Sequence, residues 1–350
     1  MASSLSKLRV AVVQLNPKLG QVQANIQRAR ELCSNLQPHT LDLICFPEMA
    51  FTGYVFDDAE AIGPYLEERH TGPTSQFCAE LAKKLNCYVM AGYPERLSEA
   101  ERAEPVVDTE KSCPNPVGAN SAVVYGRNGE LVSHYRKSNL YDTDMTWAKP
   151  GTGFAFLKLP DPLRSVSLGI CMDLNPERGK TWSLEEGPYE IADHCLKNKT
   201  NLLVLLNSWL ESPYNPVDED DNDWSTLEYW AARLRPLWAK DDSGLRKNDS
   251  SHQPKETIVV LCNRSGSENG KTFAGTSAVF KLTKGVGRPV LLDMMTKART
   301  VRRSFSNGTD LLTVKNKHLF VRRQLKLADF VELLNSIMSN LCPDVVFSLL

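Results

Sequence analysis

The chain has 350 residues and a formal net charge of -1, from 41 Lys and Arg against 42 Asp and Glu. An apolar content of 42% is typical of a globular protein and excludes a disordered or fibrous chain. Near-zero charge argues against binding nucleic acid or membrane surfaces by bulk electrostatics, and no apolar stretch approaches the roughly 20 residues of a membrane helix.

Nine cysteines form no C-x-x-C pair, and several lie in apolar runs, as Cys45 and Cys262 do. This pattern is typical of reduced core thiols rather than of a disulfide framework or a zinc site. A strand-like run begins at Leu8 and leaves no room for a signal peptide. We therefore expect a cytoplasmic protein with reduced thiols, with a nuclear pool as an open alternative.

Strand-length apolar runs alternate with segments of helical period. In chain order they are strand 8–15, a helix with the stripe Ile26, Ala29, Cys33 and Leu36, strand 41–46, helix 74–87 with Thr74 or Ser75 as N-cap, strand 87–93, strands 120–126 and 130–137, strand 165–171, helix 189–198, and strands 201–209, 257–266 and 272–280. Asn128-Gly129 is a strong hairpin signal between its two flanking strands. The pattern predicts an α/β fold with mixed sheets.

The composition shows no break at which a second domain would begin. We expect one domain over residues 1–350, with a core of about residues 8–280 and a C-terminal extension over 281–350 that contains a helical stripe at 325–341. Residues 98–119 and 240–256 are predicted surface loops. DEDDND (218–223) is interpreted as a solvated loop that caps a helix from Trp224, rather than as a metal site.

Three short segments contain residues that can act as an acid, a base or a nucleophile. They are FPEMAFTGY (46–54) with Glu48, YRKSNLYDTD (135–144) with Lys137, and SLGICMDLN (167–175) with Cys171. Strand ends are where ligands sit in α/β sheets. Each residue also has an ordinary explanation. Cys171 fits a packed core thiol, Lys137 a solvated strand end, and Glu48 an acceptor of turn N–H groups.

In order and spacing, FPE-x-x-x-x-GY, YRK-x-x-L-Y and GICMD resemble the nitrilase superfamily of carbon–nitrogen hydrolases. VAVVQLNPKLGQVQANI, NSAVVYGRNGELVSHYRK, KPGTGF and LVLLNSW extend the resemblance over roughly residues 8–280. It implies an αββα sandwich, which agrees with the predicted layers. It also implies Glu48 as general base, Lys137 as cationic partner and Cys171 as nucleophile, with no metal or organic cofactor.

The implied chemistry is consistent with the residue types. A thiol attacks as thiolate, a desolvated carboxylate is a stronger base, and a nearby ammonium stabilises the thiolate once it has formed. Lys137 and the Met172 N–H would bind the oxyanion. Ammonia leaves first, and water activated by Glu48 then hydrolyses the thioester.

The sequence departs from the common superfamily pattern at two positions. Many members carry a second glutamate that supports the lysine, whereas Asp144 stands six residues before Pro150 here. Either Asp144 or Asp142 supports Lys137, or the support is absent. Asn175 replaces an arginine that other members have four residues after the cysteine.

Within the superfamily, ICMDLNP and YRKSNLYDTD most resemble the fungal protein N-terminal amidases. These enzymes deamidate N-terminal Asn and Gln for an N-degron pathway, which implies protein or peptide substrates and no nucleic-acid or membrane partner. A substrate α-ammonium would need a carboxylate. The candidates are Asp173, Asp57, Asp58 and Asp142, and further candidates for the substrate site are Met172, Asn207, Trp209, Tyr54 and Asp144. Simpler interpretations are that Asp173 holds loop N–H groups, that Asp57 and Asp58 cap a helix, and that Asn207 belongs to a turn.

Two other functions stay open. A nitrilase-type amidase for a small free amide, such as an ω-amidase or a carbamoyl amidase, often needs an arginine that position 175 lacks. A catalytically dead interaction protein is the remote alternative, against which intact Glu48, Lys137 and Cys171 speak. The sequence does not choose between a monomer and a homodimer.

Overall fold

The structure is a computed structural model that describes residues 8–104, 113–213, 222–240 and 256–297, together with the backbone of residues 301–306. These residues form two six-stranded mixed sheets packed face to face, with helices on the outer faces. The predicted αββα sandwich is confirmed.

The first sheet has the strand order β14-β1-β2-β3-β4-β5, in which β1, β2 and β3 are parallel and the other neighbours antiparallel. Its strands are β1 (Leu8–Val13), β2 (Leu43–Cys45), β3 (Tyr88–Arg96), β4 (Gly118–Tyr125), β5 (Leu131–Arg136) and β14 (Val301–Ser306).

The second sheet has the order β13-β12-β9-β8-β7-β6, with β7, β8 and β9 parallel. Its strands are β6 (Ala155–Lys158), β7 (Ser165–Ile170), β8 (Leu202–Asn207), β9 (Glu256–Asn263), β12 (Ala278–Thr283) and β13 (Val290–Met294), and a separate small hairpin joins β10 (Ser267–Glu268) to β11 (Lys271–Thr272).

The α-helices are α1 (Val22–Leu32), α2 (Ala59–Ile62), α3 (Pro73–Leu85), α4 (Glu99–Ala103), α5 (Glu190–Lys197) and α6 (Trp224–Arg233). Short 3-10 helices cover Gly63–Tyr65, Asp144–Thr146, Cys171–Leu174 and Arg235–Leu237. In the described part of the chain, every helix is too short or too polar to span a membrane.

Alternation along β1 explains the layers. Val10 and Val12 lie in the core that includes residues of both sheets, whereas Ala11 and Val13 pack with α1 and α3 on the outer face. Successive side chains of a strand point to opposite faces, so a continuous apolar run buries both faces. Each fully buried Val contributes about 1.5–3 kcal/mol, which makes this double-sided burial a large part of the driving force for folding.

The hairpin prediction is confirmed, because β4 and β5 pair antiparallel across a turn in which Gly129 has φ +80°. The predicted cap of helix α3 is wrong. The N-cap is Gly72, and Pro73 takes the first helical position, which suits a residue without an N–H. Thr74 lies inside the first turn and bonds the Glu67 carboxylate through its N–H and hydroxyl, both at 2.8 Å.

The C-terminal part of the prediction needs correction. The strand predicted over 272–280 becomes regular only at Ala278, because Gly275 and Thr276 have φ values of +56° and +51° that interrupt an extended chain. Strands β13 and β14 lie within the predicted extension 281–350 and complete the sheets, so the sheets continue past residue 280. The stripe at 325–341 lies outside the described residues.

Two further predictions concern polar segments. Asp223 caps α6, where its side chain accepts the Thr226 N–H at 2.9 Å, so the predicted start at Trp224 is confirmed. The rest of the acidic run, 218–221, and most of the predicted loop at 240–256 lie outside the described residues. The eight cysteines in the described part are all unpaired and buried, as expected of core thiols.

The parallel strands of both sheets end at one edge of the sandwich, and Gly92 on β3 lets the segment after β2 approach closely there. The Gly92 N–H donates to the Pro47 carbonyl at 3.0 Å, and its carbonyl accepts the Ala50 N–H at 2.9 Å. A Cβ at position 92 would lie 2.6 Å from the Cα of Glu48. Glycine is therefore required to seat Glu48.

We expect Gly92→Ala to displace Glu48 and to destabilise the protein by about 1–3 kcal/mol, as overpacking does. Urea denaturation and amide turnover measure the two effects. The matched control is Gly63→Ala, whose added Cβ would have no atom within 4 Å. Equal stability and turnover in both variants would contradict the close approach at Gly92.

Candidate active site

Glu48 lies three residues after β2 and is fully buried. Its Oε1 accepts hydrogen bonds from Lys137 Nζ and Asn120 Nδ2, each at 2.7 Å, and its Oε2 accepts the Ser208 N–H at 2.7 Å. The next residue, Met49, has φ +48°, a left-handed conformation that costs a non-glycine residue about 1–3 kcal/mol. The backbone is thus bent to direct this carboxylate inward.

Lys137 directly follows β5 and is also fully buried. Its Nζ lies 2.7 Å from Glu48 Oε1 and 2.6 Å from Asp144 Oδ2. Asp144 is therefore the aspartate that supports the lysine. Asp142 instead lies on the surface, where it forms an ion pair with Arg178 at 2.9 Å.

Cys171 follows β7 and begins a 3-10 turn with φ +44°. Its N–H donates to Asn207 Oδ1 at 3.1 Å, and its side chain keeps a small exposed fraction of 6%. The Ser208 N–H that bonds Glu48 also lies near Cys171, and it lowers the pKa of the Cys171 thiol against the effect of burial. The structure thus brings the three sequence-predicted residues Glu48, Lys137 and Cys171 together at the edge where both sheets end.

The site has a distinct electrostatic balance. Burial lowers the pKa of Lys137, but the charges of Asp144 and Glu48 outweigh burial and hold that pKa above its ordinary value. Burial raises the pKa of Glu48, which the charge of Lys137 opposes. Burial and the charge of Glu48 raise the pKa of the Cys171 thiol well above its ordinary value. Burial therefore favours the neutral thiol of Cys171, and the desolvated Glu48 carboxylate nearby is a group that can accept a proton from it.

The Lys137 ammonium supplies the positive charge between the two carboxylates, a position that a metal ion takes in other sites. Within the described ranges, no group of three or more His, Cys, Asp or Glu side chains could hold a metal ion.

Asp173 has a structural role. Its carboxylate accepts hydrogen bonds from Tyr135 Oη and the Ile170 N–H, each at 2.7 Å, and from the Ser138 and Asn139 N–H groups at 3.0 and 2.9 Å. A carboxylate has about four acceptor sites, so none is left for a substrate ammonium. Asp173 joins the Lys137 segment to the Cys171 turn, as the simpler interpretation had it.

Two of the other predicted ammonium partners are near α2. Asp58 caps that helix by accepting the Ala61 N–H at 2.8 Å, and Asp57 lies exposed beside it. The capping interpretation therefore holds for Asp58.

The remaining candidates are Asn207, Tyr54, Trp209 and Met172. Asn207 is fully buried, and its Nδ2 has no hydrogen-bond acceptor among the residues the structure describes. The Tyr54 ring centroid lies 5.7 Å from Lys137 Nζ. Trp209 packs against Tyr229 at a centroid distance of 5.6 Å. Met172 stands at the start of the 3-10 turn, where the first N–H groups have no helical partner.

Asn175 takes the position of the superfamily arginine. It is nearly buried, its Oδ1 accepts the Tyr229 hydroxyl at 2.6 Å, and its Nδ2 contacts Met172 Sδ at 2.9 Å. Position 175 therefore braces the nucleophile turn and offers no guanidinium to a substrate carboxylate.

Sequence reasoning missed two members of the site, Asn120 and Ser208. Asn120 is the one strongly polar side chain at the start of the apolar run NSAVVYG, and a buried amide in a strand is a signal of a polar network. Ser208 acts through its backbone N–H, which leaves no signal in the residue type.

We expect Asp173→Asn to lower the free energy of unfolding by about 2–4 kcal/mol, because an amide would turn an NH2 toward backbone donors. Urea denaturation measures the loss, and amide turnover should fall with it. Asp142→Asn is the matched control, since its exposed ion pair is worth about 0–1 kcal/mol. Equal stability of the two variants would argue against the role of Asp173 as a brace.

The chain is similar in sequence and in fold to known proteins. Residues 9–178 match the sequence model of the carbon–nitrogen hydrolase family. The protein N-terminal amidase of Schizosaccharomyces pombe is 31% identical over 295 residues, which cover 79% of this chain and 92% of that protein. The protein N-terminal amidase of Saccharomyces cerevisiae is 29% identical over 262 residues, and the match covers 69% of this chain but only 53% of that longer protein.

A crystal structure of N-terminal amidase with an Asn-Glu-Ala peptide superposes with a TM-score of 0.64 at 23% identity, covering 87% of this chain and 99% of that one. This structural likeness supports the fold. The similarity to the Schizosaccharomyces pombe protein extends to nearly all of that protein. The chain therefore belongs to the carbon–nitrogen hydrolase family of the nitrilase superfamily, as its three motifs predicted, and is an amidohydrolase.

Proposed function

We propose that the protein hydrolyses the side-chain amide of an N-terminal Asn or Gln in proteins or peptides, giving Asp or Glu and ammonia. The observation that carries the proposal is the similarity to a protein N-terminal amidase over 92% of that relative, combined with a buried Glu48, Lys137 and Cys171 at one edge of the sandwich. The new acidic N-terminus would feed an N-degron pathway, and we assign the reaction to the cytoplasm.

In the first half of the reaction, Glu48 takes the proton of the Cys171 thiol as sulfur attacks the amide carbon. Lys137 and the Met172 N–H stabilise the charge that develops on the carbonyl oxygen, and Asn207 Nδ2, buried without an acceptor among the described residues, is a third available donor. Loss of one such donor typically raises the barrier by about 3 kcal/mol. Glu48 then protonates the leaving nitrogen, and ammonia departs from a thioester at Cys171.

In the second half, Glu48 removes a proton from water, which attacks the thioester carbon. The tetrahedral intermediate uses the same oxyanion donors, and the Cys171 sulfur leaves and is reprotonated by Glu48. The carboxyl product departs and the site returns to its starting protonation. The cycle consumes one water and releases one ammonia, with Glu48 as the proton carrier in both halves.

The substrate site would be lined by Tyr54 and Trp209. The Tyr54 ring lies beside Lys137, and the Trp209 ring packs on Tyr229, whose hydroxyl donates to Asn175. A small free amide with its own carboxylate is the rival substrate. The buried contacts of Asn175 disfavour it, because they leave position 175 without a cation for that carboxylate. The enzyme would act as a monomer or a homodimer.

A peptide panel that varies only the first residue tests the substrate. We expect peptides that begin with Asn or Gln to gain the mass of deamidation with release of ammonia, while the same peptides with an acetylated α-amine and peptides with internal Asn stay unchanged. Mass spectrometry and an ammonia assay follow the reaction.

Cys171→Ala should abolish turnover, and Cys33→Ala, a buried thiol in the outer core, should leave it near the wild-type rate. Rapid hydrolysis of free glutamine with no change in the N-terminal Asn peptide would overturn the proposed substrate in favour of a small free amide.

A further inference from the structure

Asn120 occupies an unusual position at the base of the active site. Its Nδ2 donates to Glu48 Oε1 at 2.7 Å and to Asp144 Oδ1 at 2.9 Å, so one amide group bridges the two carboxylates that flank Lys137. Its backbone carbonyl accepts the Lys137 N–H at 2.8 Å. A single residue therefore contacts all three charged members of the cluster, and it is fully buried.

The charge of the cluster explains why such a residue is needed. Glu48 and Asp144 carry two negative charges against the one positive charge of Lys137, and all three side chains are fully buried. An uncompensated charge is costly away from water, and a carboxylate in that situation tends to take up a proton. The two amide hydrogens of Asn120 supply partial positive charge to both carboxylates without adding a full charge.

The unused side of the amide supports this orientation. Asn120 Oδ1 is buried and has no hydrogen-bond donor among the described residues. Rotating the amide would give Oδ1 no better environment, because it would then face two carboxylate oxygens. The bridge to Glu48 and Asp144 thus fixes the orientation of the amide, although Oδ1 stays without a partner among the described residues. Because a buried polar atom without a partner costs free energy, this arrangement favours a role for the amide beyond stability.

We propose that Asn120 is a positioning residue that holds Glu48 and Asp144 on opposite sides of Lys137, so that the Glu48 carboxylate is ready to accept the proton of Cys171. The inference rests on the proposed function, in which Glu48 is the general base. The two side-chain hydrogen bonds of Asn120 go to Glu48 and Asp144, and in this proposal it acts through Glu48.

The expected signature is a change in the pH profile. Charged and titratable groups face Glu48 from every element around it: Lys137 after β5, Asp144 in its 3-10 turn, Cys171 after β7, Tyr54 in the loop after β2, and Arg264 after β9. The hydrogen bond from Asn120 lowers the pKa of Glu48 against the effect of burial. Without that bond, Glu48 holds its proton to higher pH, and the acid limb of the rate profile shifts to higher pH.

The test compares Asn120→Leu with the wild type in steady-state turnover of an N-terminal Asn peptide from pH 5 to 9. We expect the acid limb of the kcat/KM profile to shift to higher pH by about one pH unit or more. At pH 7, kcat should fall at least about tenfold, and KM should change by less than about twofold. Asn120→Ser keeps a small polar side chain with one donor, and an intermediate shift is expected. Thermal denaturation checks that both variants are folded. An unchanged acid limb in the folded variants would overturn the inference.

Ser121→Ala is the matched control. Ser121 is the next residue of β4, is equally buried, and bonds Glu95 at 2.7 Å instead of the active site. Its replacement should lower stability but leave the pH profile in place. A similar upward shift in this control would mean that the profile reports general loosening of β4, which would also contradict the specific role of Asn120.

A double-mutant comparison tests whether Asn120 bridges the two carboxylates. It repeats Asn120→Leu in the Asp144→Asn background, where the cluster carries one negative charge fewer. We expect Asn120→Leu to shift the acid limb by clearly less there than in the wild type. An equal shift would show that Asn120 acts on Glu48 alone. An inactive wild type would contradict the proposed function, whereas an active wild type with an unaltered Asn120→Leu profile would contradict only this inference.

Discussion

A lysine ammonium buried completely between two carboxylates is the interaction on which the rest of the structure depends. Removing such ions from water costs several kcal/mol each, and only close, well-aligned partners offset that loss. Glu48 and Asp144 supply them at 2.7 and 2.6 Å from Lys137. The segments that follow β2 and β5 must therefore meet with little freedom at this edge, and the left-handed backbone at Met49 and Cys171 is held by the surrounding hydrogen bonds.

In the proposed mechanism, the same cluster explains how the neutral thiol of Cys171 could act as a nucleophile. Before attack, the negative charge in the site is shared between Glu48 and Asp144. In the proposed reaction, Glu48 would take the proton of Cys171 with no change in total charge, and one negative charge would move to the substrate oxygen, where Lys137 could face it. Binding is therefore strengthened as the transition state forms rather than in the ground state, which is the condition for catalysis.

The sequence predicted the architecture and the family, and it singled out Glu48, Lys137 and Cys171 as candidates, because apolar alternation identifies strands and the motifs around these three residues are specific to a superfamily. It could not choose between Asp142 and Asp144, since a single 3-10 turn decides which aspartate faces the lysine. The bridging amide of Asn120 and the backbone N–H of Ser208 also escaped notice. Both contacts join residues far apart in the chain, and the Ser208 contact also joins the two sheets, so neither leaves a local pattern in the sequence.

The most direct test of the central claim is to trap the covalent intermediate. An N-terminal Asn peptide is mixed with the enzyme, the reaction is stopped with acid during turnover, and the protein is digested and mapped by mass spectrometry. The account predicts an adduct with the mass of the peptide less ammonia, attached to Cys171 and lost on longer incubation as the thioester is hydrolysed. An adduct on another cysteine, or turnover of the peptide in a Cys171→Ala variant, would contradict it.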